Sequence, residues 1–332
     1  QGQLHPDLVN RLSKEAAKAA KHVLTMCIRA LDFCPPVDIT FGDYLRGIIT
    51  ADMALQPNDE WNYRLAFIAA FRRRGIFPLD LKTFGVDTLS YRIPGNGSNA
   101  SKDIFSELAQ FLKQFSDEMI FETRRKEMYD KSRDFIKSDR DKENEGLHGF
   151  ITQNLPFLQE FEKLTGLVFN DVWSQYGIKT SHAYQNKKGK GPSFQITNLR
   201  LVSRVGPSGN RINQIMFCLI QRSGVQVEDD EITGHYDPGK KGPRANNEFD
   251  FYGGCTMIFD MVSLTLQYVI SKPLYNMAGL KNGIRKIDSK RASKQWRYQN
   301  EEGPLYLSEF SHYFGMGLRE TLHEPFAFLH NL

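Results

Sequence analysis

Residues 194–222 read Phe194-Gln-Ile-Thr-Asn-Leu-Arg-Leu-Val-Ser-Arg-Val-Gly-Pro-Ser-Gly-Asn-Arg-Ile-Asn-Gln-Ile-Met-Phe-Cys-Leu-Ile-Gln-Arg222. Two runs rich in β-branched and aromatic residues flank Val205-Gly-Pro-Ser-Gly-Asn-Arg211, a cluster that signals a hairpin. The texture continues downstream: Phe249-Asp-Phe-Tyr252 leads to Thr256-Met-Ile-Phe259, and Leu264 to Ile270 follows a turn over Asp260 to Ser263. An antiparallel sheet is therefore expected over residues 193–272.

Upstream, the pattern is helical. Pro6 and Asp7 suit a first helical turn, and Leu8, Leu12, Ala16, Ala19, Val23, Cys27 and Leu31 recur at steps of three and four, which predicts a helix with that face inward. Pro35-Pro36 ends it. Thr40, with Asp43 three residues on, reads as the cap of a second helix, with Tyr44, Leu45, Ile48, Ile49 and Met53 inward. Pro57-Asn58-Asp59 turns into a third, with Trp61, Leu65, Ile68 and Phe71 inward and Gly75 closing it after Arg72-Arg73-Arg74. Those arginines complement the helix dipole. A turn-rich linker from Ile93 to Asn99 precedes one long helix from Ser101 to about Lys142, and Leu155 to Tyr176 reads as a further helix broken at Thr165-Gly166. The fold class expected is α+β: a helical lobe over 1–92, a helical bridge over 93–186, and an antiparallel sheet domain with an irregular tail over 187–332.

The first 78 residues resemble the closing helices of thermolysin-like (gluzincin) zinc peptidases. The features that carry the resemblance come in order: His5 before Leu8-Val9-Asn10, then Ile28-Arg-Ala-Leu31, a Pro-containing turn, Thr40-Phe41, the run Tyr44-Leu-Arg-Gly-Ile-Ile-Thr-Ala-Asp52, and Ala66-Phe-Ile-Ala-Ala-Phe71 before Gly75-Ile76. Fungalysin-type relatives close similarly, with a helix, Arg-Gly and an apolar residue. In that family two histidines of a His-Glu-x-x-His helix and a later Glu hold zinc, and the motif's Glu is the general base. This chain has no such motif: His323-Glu324 is followed by Pro325, and the next histidine is His330. The resemblance therefore implies a C-terminal portion of a zinc metallopeptidase-like protein, inactive alone, with no cofactor of its own and zinc in the intact parent. The opening Gln1-Gly2-Gln3 reads likewise as a processed or trimmed chain. The partners implied are the N-terminal peptidase portion and, in the parent, a peptide or protein substrate. His5 stands where the family places the histidine that hydrogen-bonds the oxyanion of the tetrahedral intermediate. The rest of the chain, including Phe251-Tyr-Gly-Gly-Cys-Thr256 and Val269-Ile-Ser-Lys-Pro273, looks like the extension of bacterial gluzincin-like proteins and is expected to be a recognition, regulatory or assembly module.

Composition narrows the alternatives. A net charge of +4 on 332 residues is too slight to argue for nucleic acid. No apolar run approaches the ~18 residues of a membrane-spanning helix, and no membrane partner is expected. Cys27, Cys34, Cys218 and Cys255 include no CxxC pair and sit among apolar residues, as buried thiols in a reducing compartment do. A nucleophilic Cys255, with His235 or His312 as base and Gly253-Gly254 admitting substrate, is set against a core thiol on an alternating strand, and the alternation favours the latter. Glu228-Asp-Asp-Glu231 with His235 and Asp237 lacks the order of a calcium loop and reads as a solvated hairpin tip. The second reading of the whole chain is a binding module without enzymatic history. In it the sheet, or Lys286, Arg291, Trp296 and Arg297 of the basic tail, holds a protein or nucleic-acid partner.

Overall fold

The computed structural model describes residues 5–78, 81, 83–91, 99–137, 146–153, 161–169, 173–181, 191–205, 211–229, 231–239, 245–281 and 284–299. They fall into two compact units, one formed by residues 5–34 and 40–91, the other by 35–39 and the residues from 99 onward. The class is α+β, with helices and a five-stranded antiparallel sheet.

The first unit is helical. Helix α1 (Pro6–Ala30) runs into a 3-10 turn (Leu31–Phe33), and α2 (Phe41–Leu55), α3 (Tyr63–Arg73) and the short α4 (Val86–Leu89) follow. Thr40 caps α2 reciprocally: its hydroxyl accepts from Asp43 N at 3.2 Å, and Asp43 Oδ2 accepts from Thr40 N at 3.0 Å. Asp59 caps α3, its two oxygens accepting from Tyr63 N and Arg64 N, both at 2.9 Å. Gly75, at φ 70°, ends α3 in the left-handed region, with Ile76 N donating to Phe71 O at 3.1 Å. The core is Leu45, Ile48, Ile49 and Ile68 with Met26, Ala30 and Leu89. Two expectations are corrected. On α1 the buried residues are Met26 and Ala30, while Leu8, Leu12, Val23 and Leu31 are exposed. On α3 Ile68 is buried and Phe71 packs beside it, but Leu65, and Trp61 in the turn ahead of the helix, face solvent.

The second unit holds α5 (Asn99–Met119), α6 (Arg125–Ile136), α7 (Leu147–Gln153) and α8 (Ser289–Gln299) around the sheet. The single long helix expected after Ser101 is two. Glu122 interrupts it by accepting from Thr123 N and Arg124 N at 3.2 Å, which gives the backbone an alternative to the helical ladder. Thr165-Gly166 does break the following segment: Gly166 takes φ 68°, and a side chain there would strike Pro273. Residues 93–186, expected as a bridge, share one apolar core with the sheet wherever they are described, because Phe105, Leu108, Leu112 and Phe115 of α5 pack with its inner face.

The sheet runs β3 (Gln195–Val205), β4 (Arg211–Glu228), β6 (Glu248–Asp260), β7 (Thr265–Lys272), with β5 (Glu231–Tyr236) also paired to β4. Two further antiparallel pairs join β1 (Thr180–Ser181) to β2 (Gly191–Pro192) and β8 (Tyr275–Lys281) to β9 (Ile284–Ile287). The runs read as 249–252 and 256–259 are one strand, and the tail expected to be irregular from residue 280 carries, among its described residues, the end of one strand, a second strand and a helix. Strand β4 pairs along one edge with β6, from Gln214↔Asp260 to Gln226↔Glu248. Along its other edge β3 and β5 lie end to end. The seam between them is closed by backbone from the loop after a 3-10 turn (Trp173–Tyr176): Ile178 bridges Ser223, and Gly224 N donates to Gly177 O at 2.8 Å. The inner face carries Phe217, Leu219, Phe251, Cys255, Met257 and Phe259, each aromatic contributing roughly 2–3 kcal/mol by burial.

Two buried glutamines serve as substitute strand backbone. Gln221 Oε1 accepts from Val168 N at 2.7 Å and its Nε2 donates to Val168 O at 2.8 Å. Gln295 of α8 does the same for Tyr252, with both contacts at 2.8 Å, beyond the end of β7 on the open edge of β6. Each carboxamide thereby satisfies a backbone donor and acceptor that burial would otherwise leave unpaired.

The ring of His148 in α7 stacks on Phe194 at 4.2 Å with 6° between planes. Burial lowers its pKa from the ordinary 6.5, partly opposed by a hydrogen bond with the Phe194 backbone. The folded state then binds fewer protons than the unfolded chain just below pH 6.5, so this unit loses stability as pH falls from about 6.5 toward the lower folded value. His148→Phe keeps a stacked ring and removes the proton. Thermal midpoints from pH 7.5 down to 5 should therefore fall less steeply in the variant; equal slopes would rule this account out.

Candidate functional site

The residue assigned chemistry by sequence, His5, is the N-cap of α1, with φ −60° and ψ 133°. Its side chain is 73% exposed, and Nδ1 accepts from Asp7 N at 3.3 Å. That bond places the proton of the neutral ring on Nε2, which is then a donor turned to solvent. From His5 to Lys18 every residue of α1 is exposed. Leu8 (46%), Leu12 (56%) and Val23 (37%) lie on the stripe that Met26 and Ala30 continue into the core.

The helix is held where that exposure ends. Asp52 of α2 and Arg64 of α3 form a buried pair, each side chain 5% exposed, with Arg64 Nε donating to Asp52 Oδ2 at 2.7 Å. Arg64 Nη1 donates to Pro57 O at 3.1 Å, and Nη2 donates to Gln56 O. His22 Nε2 of α1 comes within 3.6 Å of Asp52 Oδ1, and its ring lies 4.4 Å from that of Tyr63. Burial lowers the pKa of Arg29, also on α1, while Asp52 and Asp32 pull it back up. One carboxylate thus faces cationic or imidazole groups from two neighbouring helices. No local motif announces it, because Asp52 and Arg64 meet only when the Pro57 turn folds α3 back on α2.

The basic-tail residues singled out by sequence have different surroundings where they are described. Lys286 is exposed on β9. Arg291 is turned inward: Nε and Nη2 donate to Asp38 Oδ2 at 3.0 and 2.6 Å, Nη2 also to Tyr252 O at 3.0 Å, and Nη1 to Pro273 O. Trp296 packs against the core, its Nε1 buried and without a hydrogen-bond partner among the described residues. The side chain of Arg297 lies outside the described residues, as do the aromatic stretch 310–328 and His312. Asp38, at φ 52°, also accepts from Gln295 Nε2 at 2.5 Å. Its separation in sequence from Arg291 left no signal to find.

The remaining constellations are structural. Glu228, Asp229 and Glu231 are exposed at the β4–β5 turn, and His235 pairs along the strand with Val225. The Gly253-Gly254 pair admits not a substrate but neighbouring chain: a Cβ at Gly253 would meet Leu274 at 2.6 Å, and one at Gly254 would meet Leu219 O at 2.6 Å and Pro36 at 2.7 Å. Cys255 is buried, and that burial, with nearby Cys218, pushes its thiol well above the ordinary range. Iodoacetamide at pH 8 should label the native protein first at Cys27, the half-buried cysteine, and leave Cys255 intact until the sheet unfolds. Mass spectrometry showing Cys255 modified first would contradict this. Among the described residues no three His, Cys, Asp or Glu side chains gather to hold a metal ion, and no helix is long and apolar enough to cross a membrane.

No protein-family model, curated protein or solved structure matches the chain.

Proposed function

We propose that this chain is the C-terminal lobe of a zinc-metallopeptidase-like protein that hydrolyses peptide bonds, and that it supports catalysis without housing the metal. The observation that supports this reading is the presentation of His5: exposed, fixed at a helix N-terminus, and with Nδ1 occupied so that Nε2 carries the proton. A donor of that kind stabilises an oxyanion through a hydrogen bond that strengthens as negative charge develops. The ordered features of residues 5–76 that resemble the closing helices of gluzincins supply the context. Zinc, held in the parent by the peptidase portion, would activate water. The second unit serves as the recognition or regulatory module.

The test compares this chain with the same chain extended upstream to the start of its reading frame, by elemental analysis for zinc and by casein hydrolysis. The extended form should carry His-Glu-x-x-His, bind zinc and cleave casein; this chain should do neither. In the extended form His5→Ala should lower kcat by about 100-fold with KM little changed. Stoichiometric zinc with activity in this chain, or an extension without His-Glu-x-x-His, would sink the reading.

A further inference from the structure

We infer that the face of α1 running through Leu8, Leu12, Ala16, Ala19 and Val23 is a docking surface for a helix of the upstream peptidase portion, and that this helix has an apolar face bordered by carboxylates. The inference rests on the functional reading above for the identity of the occupant. Continuity supports the surface itself. Positions 8, 12, 16, 19, 23, 26 and 30 step by three and four, so one apolar stripe runs the length of the helix, and only its last two members are buried within the unit. The exposed helical stretch Pro6–Lys18, 13 residues with every side chain in water, is marginal by itself and is normally held by tertiary contact. Ala16 and Ala19 at mid-stripe let another backbone approach closely, which fits a partner helix.

Charge decides between the protein's own upstream portion and a second copy. Of the charges on this part of α1, Lys14 and Lys21 lie on the opposite face; beside the stripe stand Arg11 and Lys18 against Glu15, which is already paired with Lys18 at 2.9 Å. Arg11, Glu15, Lys18 and His22 form the row beside the stripe. A second copy would set that excess of positive charge against itself, whereas carboxylates would meet it favourably.

Hydrogen exchange of the α1 amides from Leu8 to Lys18 tests this, in the chain alone and in the upstream-extended form, with light scattering giving the mass of each. The chain alone should show little protection, and extension should slow exchange by about 100-fold. In the extended form Leu12→Lys should restore fast exchange, and so should Arg11→Glu combined with Lys18→Glu. Fast exchange in the unsubstituted extended form overturns the inference, as does charge reversal without effect. A two-copy mass with slow exchange in the chain alone does so too, and so does a reading frame that adds nothing ahead of Gln1. The functional reading fails separately: an extension that protects α1 but lacks His-Glu-x-x-His removes the peptidase and leaves the docking face in place.

Discussion

Gly177→Ala should lower the stability of the second unit by about 3–5 kcal/mol, a large part of the ~5–15 kcal/mol of an ordinary domain. Gly177 lies at the seam where β3 gives way to β5 on the edge of β4. Its φ is 63°, and a Cβ there would fall 2.2 Å from Gly224 O and 2.9 Å from Tyr236 O. Both obstacles are backbone carbonyls fixed by strand pairing, so neither can swing aside. Two terms therefore add: the left-handed conformation of a side-chain-bearing residue, and the displacement of a paired strand. Gly75 separates them, since its φ of 70° is matched by open space around the missing Cβ. Gly75→Ala should cost the first unit only about 1–2 kcal/mol. Urea unfolding, followed by tryptophan fluorescence and circular dichroism, measures both. A loss at Gly177 no greater than that at Gly75 would mean that the seam yields.

Arg64→Met should destabilise the helical unit by about 3–5 kcal/mol, because it leaves the Asp52 carboxylate buried without its main partner. The double substitution Asp52→Leu with Arg64→Met should recover most of that loss, since exchanging a buried ion pair for apolar groups is often nearly neutral. Arg29 of α1 also feels the charge of Asp52, and His22 Nε2 lies 3.6 Å from the carboxylate, but neither donates to it as Arg64 does. A double-mutant cycle with near-zero coupling would refute the account.

The fold was legible where local chemistry and burial agree. Thr40 with Asp43, Gly75, the Pro35-Pro36 stop and the inward side of the strand through Cys255, Met257 and Phe259 each act over a few residues and appear as read, although Thr256 and Ile258 on the other side are buried as well. Periodicity showed that α1 has an apolar face but not what meets it. It therefore put Leu8 and Leu12 in a core that the described residues do not supply. The length of β4 was hidden because Ser223-Gly224 interrupts its apolar run, yet these are the positions where Gly177 and Ile178 approach. At the candidate site, the position of His5 was readable from helix-start chemistry, whereas the Asp52–Arg64 pair and the Asp38–Arg291 pair depend on chain reversal and distant closure. Arg291 looked like one basic residue among many, and only the fold shows that its donors point inward.

The grip of Arg291 and Gln295 on Asp38 sets a schedule for biosynthesis. The strands β3 to β7 follow one another in sequence and can pair as they emerge. Asp38 waits, because its partner Arg291 lies 253 residues further along, about tens of seconds of translation at ordinary elongation rates. Residues 40–91 can settle on α1 during that interval, but the second unit cannot be closed around Asp38 until α8 has left the ribosome. Nascent chains stalled before Ser289 should accordingly hold a helical unit beside an unfinished sheet domain, the state in which this protein would most need a chaperone.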